Sequence, residues 1–250
     1  MRIIPKLDIK NDNVVKGINY EGLRVVGKPD ALSKKYYQDH ADEIIYIDCV
    51  ASLYERNSLL GTVREAAKDI FIPLSVGGGI KNIDDVQNLL KNGADKIVIN
   101  TAAFKNKNLL KNISDLIGSQ SLVGSIQAKK KDIDKWECYI NFGRDRTGKD
   151  VFEWLKEIEK SGIGEIIVSS INNDGTECGF DISLYKAVRS LTKLPIIASG
   201  GFGKISHIVD LYKEVDIDGV AIGKLLHQNK ITIKEIKLEC LKHKIEISNL

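Results

Sequence analysis

Pro73-Leu74-Ser75-Val76-Gly77-Gly78-Gly79-Ile80 opens the stretch that decides the fold, and Lys96-Ile97-Val98-Ile99-Asn100-Thr101-Ala102-Ala103 closes it. A short apolar run meets a glycine triplet, a helical segment follows, and a second apolar run ends in Asn100 and Thr101. That is strand, turn, helix, strand. The unit recurs 122 positions later, from Pro195-Ile196-Ile197-Ala198-Ser199-Gly200-Gly201 to Gly219-Val220-Ala221-Ile222-Gly223-Lys224. With no gap, Pro73 falls on Pro195, Gly78 and Gly79 on Gly200 and Gly201, and Thr101 on Gly223. Glu43-Ile44-Ile45 matches Glu165-Ile166-Ile167 at the same offset, so the chain reads as two related halves.

Working outward, runs rich in Ile and Val recur at residues 2–7, 43–47, 72–76, 96–99, 121–126, 165–168, 194–198 and 219–222. Most are apolar at consecutive positions, which suits strands of a parallel sheet buried on both faces. Helix signals lie between them. Asn82 can cap a helix that turns Ile83, Val86, Leu89 and Leu90 to one side and stops at Gly93, and Asp150 opens another that turns Trp154, Leu155 and Ile158 inward. Eight strands, alternating helices and a halfway repeat predict a single (β/α)8 barrel over residues 1–250, built from two half-barrels. The alternative, an open doubly wound sheet, needs neither eight strands nor the repeat.

The formal charge of +3 and pI near 8.5 make no case for nucleic acid or an acidic membrane surface, so any anion binding should be local. The N-terminus lacks the apolar core of a signal peptide and no stretch approaches a membrane span, so a soluble, cytoplasmic protein is expected. Cys49, Cys138, Cys178 and Cys240 are scattered without metal-binding spacing. They read as reduced thiols, and neither metal nor cofactor is expected. The four histidines read as surface or packing residues.

In such a barrel the working end is where strands finish, so polar residues just after each apolar run are the candidates. They are Asp8, Asp48, Gly79, Asn100, Thr101, Gln127, Ser169, Asn172, Asp174, Gly175, Thr176, Ser199, Gly200, Gly201, Gly223 and Lys224. Glycine turns leave backbone N–H groups uncovered, and two such turns in matched places suggest two phosphate sites about a pseudo-two-fold axis. The plainer reading is that the glycines only permit tight turns. Asp8, close to Lys6 and Lys10, reads either as a general acid/base or as a structural ion-pair partner. The polar segment 10–28 reads as a solvated loop or as a lid bringing Lys16 to the substrate, and segment 129–149 occupies the corresponding place in the other half.

Ile-Ile-Pro-x-Leu-Asp-Ile-Lys from Ile3, Val-Val-Lys-Gly from Val14, Phe-Ile-Pro-Leu-x-Val-Gly-Gly-Gly-Ile from Phe71, Asp174-Gly175-Thr176 and Pro-Ile-Ile-Ala-Ser-Gly-Gly from Pro195 together resemble the cyclase subunit of imidazole glycerol phosphate synthase. The resemblance spans essentially the whole chain. It implies a barrel that takes ammonia from a glutaminase partner and closes an imidazole ring on a bis-phosphorylated substrate. By position it makes Asp8 the first catalytic aspartate and Lys16 a loop lysine. Gly79, Asn100 and Thr101 match one phosphate site, and Asp174, Gly175, Gly201 and the Gly223 region the other. Arg2, Glu43, Lys96 and Glu165 match a charged ring that gates ammonia at the N-terminal end, and Asp95 matches a residue that faces the glutaminase.

Three departures bear on mechanism. Gln127 stands where the family has its second catalytic aspartate, Asn172 where it usually has an aspartate, and Lys6 where it usually has a cysteine. An amide cannot shuttle a proton, so two rivals stay open: a paralogue delivering ammonia elsewhere, for example to an amidino-forming step on a sugar, and a barrel that only binds a phosphorylated ligand. Asp substitutions at Thr101 and Gly201 are expected to weaken ligand binding while the fold survives.

Overall fold

The computed structural model describes residues 1–51 and 59–248. Its strands are β1 (Arg2–Lys10), β2 (Asn13–Ile18), β3 (Glu21–Gly27), β4 (Ile44–Asp48), β5 (Leu74–Gly77), β6 (Lys96–Ile99), β7 (Leu122–Asp132), β8 (Lys135–Ile140), β9 (Asp145–Asp150), β10 (Glu165–Ser170), β11 (Ile196–Ser199) and β12 (Gly219–Ile222). Eight of them, β1, β4, β5, β6, β7, β10, β11 and β12, pair in parallel in that order, and β12 returns to β1 with Arg2 opposite Gly219. The ring is closed, so this is a (β/α)8 barrel and the open-sheet alternative is wrong. Continuous apolar runs caused it: β5, β11 and β12 are buried at every position, as strands sandwiched between a filled interior and a helical coat must be.

The helices start where the sequence says they should. Asn82 accepts from the Asp85 amide, and Asp150 accepts from the amides of Phe152 and Glu153. Helix 151–160 buries Val151, Trp154, Leu155 and Ile158, side chains worth roughly 1.5–3 kcal/mol each when fully removed from water. Among the described residues no helix is long and apolar enough to cross a membrane.

Side chains alternate along each strand, which sorts the barrel interior into layers. On β1, Arg2, Ile4, Lys6 and Asp8 point inward from bottom to top, while Ile3, Leu7 and Ile9 pack under the helices. Ile4 joins Ile45, Val98, Val123, Ile167 and Ile197 in an apolar layer above Arg2.

The segments read as polar loops are antiparallel hairpins. β1 runs past the barrel rim and pairs with β2, which pairs with β3, while β7 does the same with β8 and β9. Each hairpin turn opens on two left-handed residues, Asn19-Tyr20 in the first and Asn141-Phe142 in the second, again 122 positions apart, and Gly143 (φ +74°) adds a third in the second. The repeat is not ungapped throughout. Asn100 (φ −127°, ψ −86°) and Gly223 (φ −122°, ψ −77°) hold equivalent positions at the ends of β6 and β12, so the offset slips to 123 and Lys224, not Gly223, matches Thr101.

Candidate active site

Asp8 ends its inward row fully buried, with a lysine on each carboxylate oxygen. Lys6 Nζ donates to Oδ1 at 2.6 Å and Lys16 Nζ to Oδ2 at 3.1 Å. Lys16, carried in by β2, also donates to both oxygens of Asp174, at 2.8 and 3.0 Å. The first hairpin therefore sits on the barrel mouth and delivers Lys16 to Asp8. Burial by itself would push the Asp8 carboxyl up, but Lys16 and Lys6 together hold it down to about 2. Lys16 is raised: burial opposes its charge, and the facing Asp174 and Asp8 carboxylates outweigh burial. The geometry is that of an ion-paired carboxylate placed at the centre of the mouth.

Two clefts flank this centre and share no lining residue. The first is lined by Asp48, Gly79, Asn100, Thr101, Gln127 and Asn141, and the second by Lys6, Lys16, Asp174, Gly175, Gly200, Gly201, Gly223 and Lys224. Between them, Tyr20 and Phe142 stack with ring centroids 4.4 Å apart, one from each hairpin tip. In the first cleft Thr101 Oγ1 accepts from the Asn141 amide at 3.0 Å, and Asp48 accepts from the amides of Val50 and Ala51. Gln127 Oε1 accepts from the Gly143 amide at 2.7 Å, which ties the barrel strand to the second hairpin. In the second cleft Lys224 Nζ donates to the Gly175 carbonyl at 2.7 Å and pairs with Glu177 at 2.8 Å.

Besides the central Asp8, three candidates line neither cleft: Asn172, Ser169 and Thr176, whose Oγ1 donates to the Asn173 carbonyl at 2.8 Å. Asn172 is exposed and accepts from the Lys130 amide at 2.8 Å, so it joins the second hairpin to the loop after β10. Ser169 is buried beneath the Tyr20 phenol.

The glycines of the two turns are sterically required as well as well placed. A Cβ on Gly78 would lie 2.3 Å from the Asp48 carbonyl oxygen, and one on Gly200 2.7 Å from that of Ser170, the same clash in each half. Gly201 (φ +107°) is tighter still, with a Cβ only 1.9 Å from the Gly179 oxygen. The expectation that the fold survives Gly201→Asp is therefore corrected. Gly201→Asp should destabilise by several kcal/mol through backbone strain and a clash with fixed backbone, whereas Thr101→Asp at a half-buried helix start should keep its melting temperature within a few degrees and lose phosphate binding. Thermal melts and phosphate titration of the two variants check this; equal melting temperatures would contradict it.

At the opposite end of the barrel, four charges alternate in sign. Arg2 donates to Glu43 at 2.6 Å and to Glu165, while Lys96 donates to Glu43 at 3.0 Å and to Glu165 at 2.9 Å. Ser75 Oγ gives Glu43 a third donor at 2.6 Å. The ring is complete and closed. Asp95, next to it, is exposed and accepts from the Leu74 amide at 2.8 Å, as Asp42 and Asp218 do for Ile3 and Ile196, so it caps a strand start whatever else it meets. Among the described residues no group of three His, Cys, Asp or Glu side chains is placed to hold a metal.

A family model of histidine biosynthesis proteins matches residues 2–232. The chain belongs to that family. Relatives called imidazole glycerol phosphate synthase subunit HisF include one from Legionella pneumophila, 50% identical over 82% of this chain and 97% of its own length. Others come from Lactococcus lactis, 42% identical over 98% of this chain and 95% of that relative, and from Methanococcus maripaludis, 41% identical over 98% of both. With the family in hand, two central residues stand out that the sequence reading left aside, Tyr20 and Phe142, beside Lys6, which it named only as a departure and a possible partner of Asp8. The repeated Asn-aromatic pair at 122 residues' spacing was a usable signal for the first two. Lys6 was visible as a departure, but its pairing with Asp8 depends on the inward alternation of β1.

Proposed function

We propose that this chain is the ammonia-using cyclase of an imidazole glycerol phosphate synthase. It takes ammonia from a glutaminase docked on the N-terminal face, closes the imidazole ring of a bis-phosphorylated substrate, and releases imidazole glycerol phosphate and an aminoimidazole carboxamide ribotide. One observation carries the reading. A ring of four paired charges closes one end of the barrel, the Asp8 centre occupies the other, and an apolar layer lies between them. Such a layer passes neutral ammonia far more readily than ammonium, because a charge there costs its hydration. Asp8 is the acid/base, Lys16 is brought to it by the first hairpin, and the two glycine-turn clefts take the phosphates. A ligand spanning both clefts has to part Tyr20 from Phe142.

Gln127 favours a second reading, in which the same ammonia route serves another acceptor such as a sugar undergoing amidino formation, since the amide at that place does not titrate and cannot act as a general acid or base. Turnover of the histidine-pathway substrate separates the two. With glutamine and the glutaminase as the nitrogen source, Lys96→Ala should change the rate several-fold; with ammonium salt at high pH the change should be smaller, because ammonia then enters at the open mouth. Equal effects on both routes would remove the channel from the proposal, and no turnover by either route would favour the second reading.

A further inference from the structure

Of the two lysines that flank Asp8 in sequence, Lys6 is the one that pairs with it. Its side chain continues the inward row of β1 above Ile4, its residue is 6% exposed, and its ammonium meets Asp8 Oδ1 at 2.6 Å. The same nitrogen lies 5.3 Å from the ring centre of Tyr20 and 5.8 Å from that of Phe142, beneath the stacked pair that divides the clefts. Ser125 and Ser199 fill inward positions on β7 and β11 at this end of the barrel. A buried ammonium costs several kcal/mol in lost hydration unless a partner returns it, and here the carboxylate and two aromatic faces are the partners.

We infer that Lys6 is a positioning residue of the centre, which holds Asp8 as an oriented carboxylate base and leaves Lys16 free to bridge to Asp174. The two oxygens of Asp8 are divided between the two lysines, so the carboxylate cannot rotate, and Lys16 keeps its second contact with the loop after β10. With Gln127 unable to carry a proton, proton transfer in the mouth falls to a group whose ionisation Lys16 and Lys6 set together. The other titratable groups facing this centre are Lys16 from β2, Tyr20 from the hairpin tip, Asp174 from the loop after β10, Cys49 from the loop after β4, and His227 from the helix at residues 224–227. Burial pushes His227 down to about 4, with Nε2 against the Lys6 carbonyl, so it gains its own proton in the acid range in which Asp8 titrates and its ring signals are followed beside those of Asp8.

The test compares the wild-type chain with Lys6→Met and Lys6→Arg, reading the Asp8 carboxyl carbon by NMR against pH, with Asp8→Asn assigning the signal. Removing one cation at hydrogen-bond distance raises a carboxylate's midpoint, so Lys6→Met should titrate about one pH unit or more above wild type, and Lys6→Arg should restore the low midpoint. If Lys6→Met does not fold, Lys6→Gln is read instead. A midpoint in the neutral variant equal to that of wild type overturns the inference. The kinetic arm rests on the cyclase reading: with ammonium salt at one fixed high pH, where ammonia supply is the same for every variant, kcat should fall in Lys6→Met and recover in Lys6→Arg. Absence of turnover counts against that reading and leaves the NMR result to decide about Lys6.

Discussion

Asp8→Asn is expected to lower turnover on the order of 10²- to 10⁴-fold, the loss typical of removing a positioned general acid/base. The substitution also leaves the Lys6 ammonium without the carboxylate at 2.6 Å, whereas Lys16 keeps Asp174. Breaking one partner out of a buried ion pair costs about 3–5 kcal/mol, so the variant should melt at lower temperature as well. The two effects are separable. Rates measured well below the variant's own transition, with circular dichroism confirming that it is folded, report the chemistry alone. A folded Asp8→Asn protein that turns over the substrate at the wild-type rate would reduce Asp8 to a structural counter-ion.

Glu43→Ala should produce the second large effect, this time on stability. Glu43 is 1% exposed and accepts from Arg2, Lys96 and Ser75, so its loss strips one carboxylate from both cations of the ring and orphans a buried hydroxyl. Arg2 and Lys96 keep Glu165 and partial access to water, which places the expected cost near 3 kcal/mol, the low end for a broken buried pair. Denaturant unfolding of wild type and variant measures it. Glu43→Leu is the informative companion: a well-packed apolar side chain in place of a buried charge can be neutral or stabilising when the whole ion-pair set is replaced, but here two cations remain and stability should still fall. If Glu43→Leu matches wild type, the ring carries no net stabilisation and its pairing serves only to close the barrel end.

Much of this molecule is decided by local pattern, which is why it is legible in the chain alone. The short, mostly apolar runs at Leu74–Gly77 and Ile196–Ser199, each ending at a glycine turn, suit a strand buried on both faces. Asn82 and Asp150 announce helix starts through capping chemistry that needs no distant partner. The 122-residue repeat makes a two-half closed barrel the economical reading, and the polar residues at strand ends then fall at the mouth because successive parallel strands share one direction. Tertiary structure decided what depends on segments meeting across the fold. The hairpins at residues 13–27 and 135–150 read as polar in sequence although β2 and β8 place Val14, Trp136 and Cys138 in the core, so only their ladder with β1 and β7 marks them as strands. The necessity of Gly201 lies in the Gly179 carbonyl that passes beside it, and the placement of Asn172 outside the clefts lies in the Lys130 amide it caps. The Lys6–Asp8–Lys16–Asp174 chain and the Tyr20–Phe142 stack likewise join residues up to 158 positions apart. Sequence order contains no measure of such distances; the closure of the barrel and the register of its strands set them.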